Sequence, residues 1–214
     1  MRRSRRWLWI LVVLLVGAAT IVGIPGSRHA MLRAAGWALV VDEAIGPADV
    51  IVIATDADGA GVLEAADLFH AGIARRVAVF EDPPDAVGRE FLRRGIPYEN
   101  RAARAKLRLR GLGVTAVEEI ARASGTESGA RGLPGWCEQH RIRSLVFVTR
   151  PDHSRRVRRV LRRTMKGHPT SVMVHSTRYS DFDPDRWWQS RDGIRTEVIE
   201  VQKLLLDVIL HPGS

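Results

Sequence analysis

Cysteine and lysine are both scarce in this sequence, and each scarcity excludes something. Cys137 is the only cysteine among 214 residues, so the chain cannot form an internal disulfide bond. Lysine occurs only at Lys106, Lys166 and Lys203, so arginine provides almost all of the positive charge in a chain of formal net charge +9. The sequence also lacks paired metal-ligand spacings and basic strands interleaved with aromatic residues, so we predict no nucleic-acid partner.

The amino-terminal part contains a long run without charge. Residues 7–24 read WLWILVVLLVGAATIVGI, and at about 1.5 Å per residue such a helix spans about 27 Å, enough to cross the hydrocarbon core of a bilayer. Residues 1–6 carry four arginines, which favours a cytoplasmic location for this end. A cleaved signal peptide is the alternative, but the run is longer than a usual signal-peptide core.

These features predict four regions. Residues 1–6 form a basic cytoplasmic tail, 7–24 a single transmembrane anchor, 25–47 a connector and 48–210 a folded domain outside the plasma membrane. Pro25-Gly26-Ser27 is predicted to break the helix after the anchor.

Strand and helix patterns alternate beyond the connector. Continuous apolar runs such as ADVIVIA are typical of strands buried on both faces, and alternation with helices favours right-handed crossovers. We therefore predict an α/β fold, a Rossmann-like three-layer arrangement around a mostly parallel sheet. Strands are expected at 48–54, 76–80, 144–148 and 171–175, with 117–120 either a strand or a helix start, and helices at 62–73, 86–94, 102–112, 127–140, 153–165 and 191–210.

The loop at residues 149–156 is the strongest candidate for a binding site. Ligands of open parallel sheets bind beyond the carboxyl ends of the strands, and this loop leads from a strand into a helix start with unpaired N–H groups. Arg155 and Arg156 add positive charge, and histidine at 153 can act as an acid or base near neutrality. A phosphate or carboxylate ligand is therefore expected. Simple capping by Asp152 or Ser154 is the alternative.

Three further polar loops lie at the same predicted edge, at 55–61, 81–82 and 124–129. Ser124 and Thr126 are expected to orient the ligand, although Ser or Thr followed by Glu also fits a plain helix start. Asp56 is expected to position water or a metal. With Asp58 and Glu81 it could bind a divalent cation, but carboxylates spaced by one residue more often form a turn, and we predict no metal ligand. No P-loop lysine, nucleophile elbow or complete dinucleotide fingerprint identifies a cofactor.

Five stretches occur in the order seen in the YdcF/SanA/ElyC-like family: ADVIVIA, VLEAADLFHAGIARRVAVF, GTESGA, SLVFVTRPDHSRRVRRVLRR and FDPDRWWQSRDGIRTEVIEVQKLLL. The chain resembles that family over about residues 48–206, most specifically in the TxPxHxRR element at 149–156 and the later WW…R…E…K element. The resemblance implies a Rossmann-like fold and a role in bacterial envelope or peptidoglycan-precursor metabolism. It also adds Glu64 and Arg191 to the polar cluster.

The chain departs from the family pattern in two motifs. Its first strand ends in Ala54-Thr55-Asp56 where the family commonly has glycines, and GTESG replaces the usual NTxEN. The predicted catalytic residues are His153 and Asp56, and the predicted ligand-binding residues are Thr55, Asp58, Glu64, Ser124, Thr126, Glu127, Thr149, Arg155, Arg156 and Arg191. The prediction is an envelope protein that binds an anionic or phosphorylated small molecule, enzymatically or not. The alternatives are a non-catalytic factor acting through protein or lipid contacts and a cytoplasmic-facing nucleotide-binding enzyme.

Overall fold

The computed structural model describes residues 23, 25–98, 100–120, 123 and 125–213. Five strands form one sheet in the order β3-β2-β1-β4-β5, and every neighbouring pair is parallel. This is the order of the first five strands of a Rossmann sheet, so the predicted Rossmann-like α/β fold is confirmed, with a fully parallel sheet. The strands are β1 (Val50–Ile53), β2 (Val77–Phe80), β3 (Val117–Ile120), β4 (Ser144–Thr149) and β5 (Ser171–Ser176).

Helices cover both faces of the sheet. On one face α2 and α4 pack against each other and against β1, β2 and β3. On the other face α5 packs on β3 and α6 packs on β4 and β5, while α7 packs on the outside of α6. The helices are α1 (Pro25–Ala38), α2 (Asp58–His70), α3 (Ala86–Arg93), α4 (Arg101–Gly111), α5 (Thr126–His140), α6 (Pro151–Thr164) and α7 (Arg191–Leu210), with a 3₁₀ turn at Trp187–Gln189.

The core lies in the central strands. All four residues of β1 and of β2 are buried, as are the last five of β4, which explains their uninterrupted apolar sequences. Pro151 occupies the first turn of α6, where its fixed φ favours a helix start and its missing N–H costs nothing. As a result α6 begins directly at the carboxyl end of β4, and its first turn faces that edge of the sheet.

The predicted helix break at Pro25-Gly26-Ser27 is wrong, because these residues form the first turn of α1. Proline is tolerated there since first-turn N–H groups have no intrahelical partner. The connector is also firmly attached. The indole Nε1 of Trp187 donates to the Leu32 carbonyl at 2.8 Å, and the rings of His29 and Trp188 stack with centroids 5.8 Å apart. The first helix is therefore fixed to the segment just before α7.

The predicted cytoplasmic tail lies outside the described residues, and so does the predicted anchor apart from Gly23. Within the described part of the chain, none of the helices combines the length and the apolar character needed to cross a membrane.

Candidate functional site

A cleft of about 970 Å³ opens at the carboxyl edge of the sheet. It receives residues from both helical layers, because the loops that follow β1, β2, β3 and β4 all end at this edge. We call it the edge cleft. Its polar lining consists of Thr55, Asp56, Asp58, Asp82, Asp85, Arg89, Tyr98, Arg101, Arg104, Arg108, Thr126, His153, Arg156 and Lys203.

Six of the predicted site residues meet in the edge cleft, although Thr55 and Arg156 are 101 positions apart in the chain. Thr55, Asp56 and Asp58 come from the β1–α2 loop, Thr126 from the start of α5, and His153 and Arg156 from the first two turns of α6. The expected convergence of loops on one hollow is therefore present in the structure.

Two other predicted residues are buried, and only the first of them contacts a side chain that lines the cleft. The Thr149 hydroxyl lies 3.4 Å from Asp56 Oδ2 and donates to it. Glu64, on α2, accepts a hydrogen bond from the Arg178 backbone N–H at 2.9 Å and pairs with His175 at 3.2 Å. Glu64 therefore holds the loop after β5 against α2 rather than facing the cleft.

The remaining predicted residues lie elsewhere. Arg155 donates to the carbonyls of Ala38 and Val40, the latter at 2.9 Å, and so ties the connector to α6. Glu127 pairs with Arg163 at 2.7 Å, and Arg191 is exposed at the first residue of α7. None of these three lines the edge cleft. Ser124 falls outside the described residues.

His153 lies between two carboxylates. Its Nδ1 is 2.7 Å from Glu200 Oε2, and its Nε2 is 3.4 Å from Asp56 Oδ2. Glu200 is buried on α7 and also contacts Lys203 Nζ at 2.6 Å and Arg156 Nη2 at 3.5 Å. A carboxylate beside Nδ1 favours the tautomer with the proton on that nitrogen. The other ring nitrogen, Nε2, then faces Asp56. The imidazole is therefore oriented toward Asp56 and the cleft.

Glu200 is kept ionised by its surroundings. Burial by itself would raise its pKa, but hydrogen bonds from His153 and Lys203, together with the positive charges of His153 and Arg156, outweigh burial and lower the pKa from 4.5 to about 2. The negative charge that orients the imidazole is thus present throughout the physiological pH range.

Asp56 has the opposite tendency. Burial raises the pKa of Asp56, and the charges of His153 and Arg156 offset only part of that effect. Its Oδ1 is buried and has no hydrogen-bond partner among the described residues. Asp56 and His153 thus form a facing pair in which the carboxyl holds its proton more tightly than an ordinary aspartate does.

Positive charge dominates the walls of the edge cleft. Six arginine or lysine side chains line it, against four aspartates. Arg156 and Lys203 belong to the α6–α7 layer, whereas Arg101, Arg104 and Arg108 belong to α4 on the other face. At Gly59 an added Cβ would lie only 3.2 Å from Arg108 Nη1, so the missing side chain lets this guanidinium approach the start of α2.

Glu197 lies one turn before Glu200 on α7 and is equally buried. Neither of its carboxylate oxygens has a hydrogen-bond partner in the described part of the chain. Burial, assisted by the negative charge of Asp152, raises the pKa of Glu197 to about 7. Two neighbouring carboxyls on one helix therefore have opposite preferences for the proton.

Sequence reasoning missed Glu200, Lys203 and the three arginines of α4 as site residues. The first two had a detectable signal, because they are the E and K of the WW…R…E…K element and share one helix face at a spacing of three residues. The α4 arginines had none, since a basic amphipathic helix is usually a solvated surface. Among the described residues, no group of three or more histidine, cysteine or acidic side chains is arranged to hold a metal ion.

No family model matches the chain, and no curated protein sequence matches it. Among solved structures, the chain is similar to the rRNA methyltransferase AviRa from Streptomyces viridochromogenes, at 15% identity over 71% of this chain and 73% of that one, with a TM-score of 0.31. It is also similar to a short-chain dehydrogenase from Oenococcus oeni PSU-1, at 13% identity over 72% and 75%, with a TM-score of 0.34. TM-scores this low support no inference about activity.

Proposed function

We propose that this chain is a membrane-anchored, extracytoplasmic protein of the YdcF/SanA/ElyC-like type that binds an anionic small molecule of bacterial envelope metabolism in the edge cleft. The observation that carries the proposal is the convergence of His153, Arg156 and Lys203 with Asp56 and Thr126 around one hollow.

Charge and geometry favour an anion as the ligand. The single negative charge of Glu200 balances only one of the two positive charges of its neighbours Arg156 and Lys203. The part of the cleft around these two side chains therefore retains positive charge. The α4 arginines add to it from the opposite wall. Guanidinium groups bind phosphate and carboxylate through paired N–H donors, and the first turn of α6 contributes the positive end of a helix dipole.

The His153–Asp56 pair supports acid–base chemistry on such a ligand. With the ring proton of His153 on Nδ1, facing Glu200, the Nε2 lone pair can take a proton from an attacking water, and the imidazolium so formed can return that proton to the leaving oxygen as the ligand's bond breaks. Asp56, 3.4 Å away, can orient that water or exchange the proton with the imidazole. The Thr149 hydroxyl holds the carboxyl of Asp56 in place.

Calorimetric titration of the detergent-solubilised full chain with inorganic phosphate and with pyrophosphate tests the binding. We expect Arg156→Gln to weaken binding by about 10-fold to 100-fold, since a hydrogen bond to a charged group contributes about 1.5–3 kcal/mol. Arg110→Gln is the matched control, because Arg110 is exposed on α4 and does not line the cleft. Absence of binding by the unaltered protein, or equal binding by both variants, would contradict the proposal.

The orientation has its own test. A periplasmic-type reporter such as alkaline phosphatase, fused after Ser214, should be active, because the folded domain is proposed to lie outside the cytoplasm. Activity only of a cytoplasmic reporter at the same position would favour the inward-facing alternative.

A further inference from the structure

Helix α7 buries polar residues and exposes apolar ones, which is the reverse of an ordinary surface helix. Its buried residues are Gly193, Glu197, Glu200 and Asp207. Eight of its large apolar side chains are exposed, and we call this set the outer face of α7: Ile194, Val198, Ile199, Leu205, Leu206, Val208, Ile209 and Leu210. A helix at a protein surface normally buries its apolar stripe and exposes its polar one.

The reversal follows from the helix on which α7 rests. The outward side of α6 is rich in arginine, and α7 meets it with carboxylates. Arg159 Nε lies 2.5 Å and Arg163 Nη1 2.8 Å from Asp207, and Arg156 contacts Glu200. Because ion pairs hold α7 in place, its apolar residues are not needed for that contact. At about 100° per residue, Val198, Leu205 and Ile209 lie on the side of the helix away from Glu200.

The position of the outer face relative to the amino terminus indicates what covers it. The predicted anchor ends at residue 24, and α1 begins at Pro25. The contacts of His29 with Trp188 and of Leu32 with Trp187 fix α1 to the turn that immediately precedes α7. A membrane-inserted anchor would therefore leave the bilayer beside the first turn of α7.

Charge on the same side of α7 fits a lipid surface. Arg191 and Arg195 are exposed in the first two turns, on the side that carries Val198 and Ile209 further along. Arg28 is exposed near the start of α1. Cations close to the anchor followed by an apolar stripe are the pattern of a helix lying in the interface of an anionic bilayer.

We infer that the outer face of α7 lies in the headgroup region of the anionic bilayer into which the anchor is inserted. This inference rests on the anchor of the proposed function. Because Glu200 and Lys203 project from the opposite side of α7 into the site, the edge cleft would lie about one helix diameter, roughly 10–12 Å, above the membrane. The site would then open close to lipid headgroups.

Site-directed spin labelling of the full chain tests this. Ile209→Cys and Leu107→Cys form a matched pair, because both side chains are 71% exposed, but Leu107 lies on α4, away from the outer face. The native Cys137 is buried, and burial raises the pKa of its thiol, so it should take up little label. Each labelled protein is reconstituted in vesicles of phosphatidylcholine and phosphatidylglycerol at a three-to-one ratio, and nitroxide collisions with oxygen and with a water-soluble nickel chelate are compared.

We expect the oxygen-to-nickel collision ratio to be several-fold higher for the label at 209 than for the label at 107. Equal ratios in vesicles that float with the protein would overturn the inference and leave the anchor intact. A protein that fails to float with the vesicles would overturn both. A label at 209 that is shielded from nickel but shows spin–spin broadening, lost on dilution with unlabelled protein, would show that a second copy covers the outer face, and would also overturn the inference.

Discussion

Replacing Glu200 by glutamine removes a charge on which both the site and the docking of α7 depend. The side chain is 3% exposed and contacts His153, Lys203 and Arg156. Its pKa falls from 4.5 to about 2 on folding, and at about 1.4 kcal/mol per pKa unit this corresponds to about 3 kcal/mol of stability. The same magnitude is typical of breaking one partner out of a buried charge pair.

The sign of the pH dependence follows from the lowered pKa. An acid with a lower pKa in the folded protein contributes its full stability above its unfolded value of 4.5 and loses it as the pH falls toward 2. Glu200→Gln should therefore lower the free energy of unfolding by about 3 kcal/mol at pH 7. The difference from the unaltered protein should shrink steadily between pH 4.5 and pH 2.

Urea unfolding of the detergent-solubilised full chain, followed by tryptophan fluorescence at pH 7 and pH 3, measures both effects. Glu127→Gln is a suitable control, because Glu127 also pairs with an α6 arginine but its side chain is 48% exposed, so the loss should stay within about 1 kcal/mol. If Glu200→Gln cost no more than this control at pH 7, or if its cost did not change with pH, the electrostatic account of the His153–Glu200 pair would be refuted.

Two further substitutions test the packing of α7. Glu197→Gln should have the opposite effect to Glu200→Gln, because the pKa of Glu197 is raised from 4.5 to about 7. The contribution of the Glu197 carboxyl to the free energy of unfolding is complete below pH 4.5 and is lost as the pH rises through 7. The variant should therefore equal the parent in stability at pH 4 and exceed it by up to about 3 kcal/mol at pH 8. Equal stability at pH 8 would contradict this. Gly193→Ala should destabilise the protein by about 1–3 kcal/mol, since the added Cβ would lie 2.2 Å from the Trp187 carbonyl oxygen. Gly132→Ala is the control: it has open space around it on α5 and should be neutral or stabilising by up to about 1 kcal/mol. Thermal melting of both variants checks this, and an unchanged melting point for Gly193→Ala would show that the contact is not tight.

The central strands of the sheet were predictable because burial on both faces requires consecutive residues to be apolar. β1, β2 and β4 are buried on both faces and read as continuous apolar runs. The assignment of β3 as a strand or a helix start was ambiguous because this strand lacks such an apolar run. It is the edge strand, and its sequence VEEI is only partly buried, so no apolar run distinguishes it from a helix start. The first turn of α1 was missed because proline and glycine at a helix start resemble a helix break.

The site was predictable where residues follow a strand directly. Asp56, Thr126 and His153 reach the edge cleft because loops after parallel strands end at one edge. The sequence did not show which of two adjacent helical residues would face the cleft. Arg155 and Arg156 differ by about 100° around α6, so one binds the connector while the other lines the cleft.

The sequence by itself determined the class of fold and the edge of the sheet where chemistry collects, because local apolar periodicity encodes how each element is buried. Only the tertiary structure decided that Glu200 orients His153 and that α4 supplies the opposite cationic wall. It also decided that α7 buries Glu197, Glu200 and Asp207 while its outer face stays exposed. Those contacts join residues far apart in the chain. They depend on how each helix is rotated about its axis when it docks, and local sequence patterns do not specify that rotation.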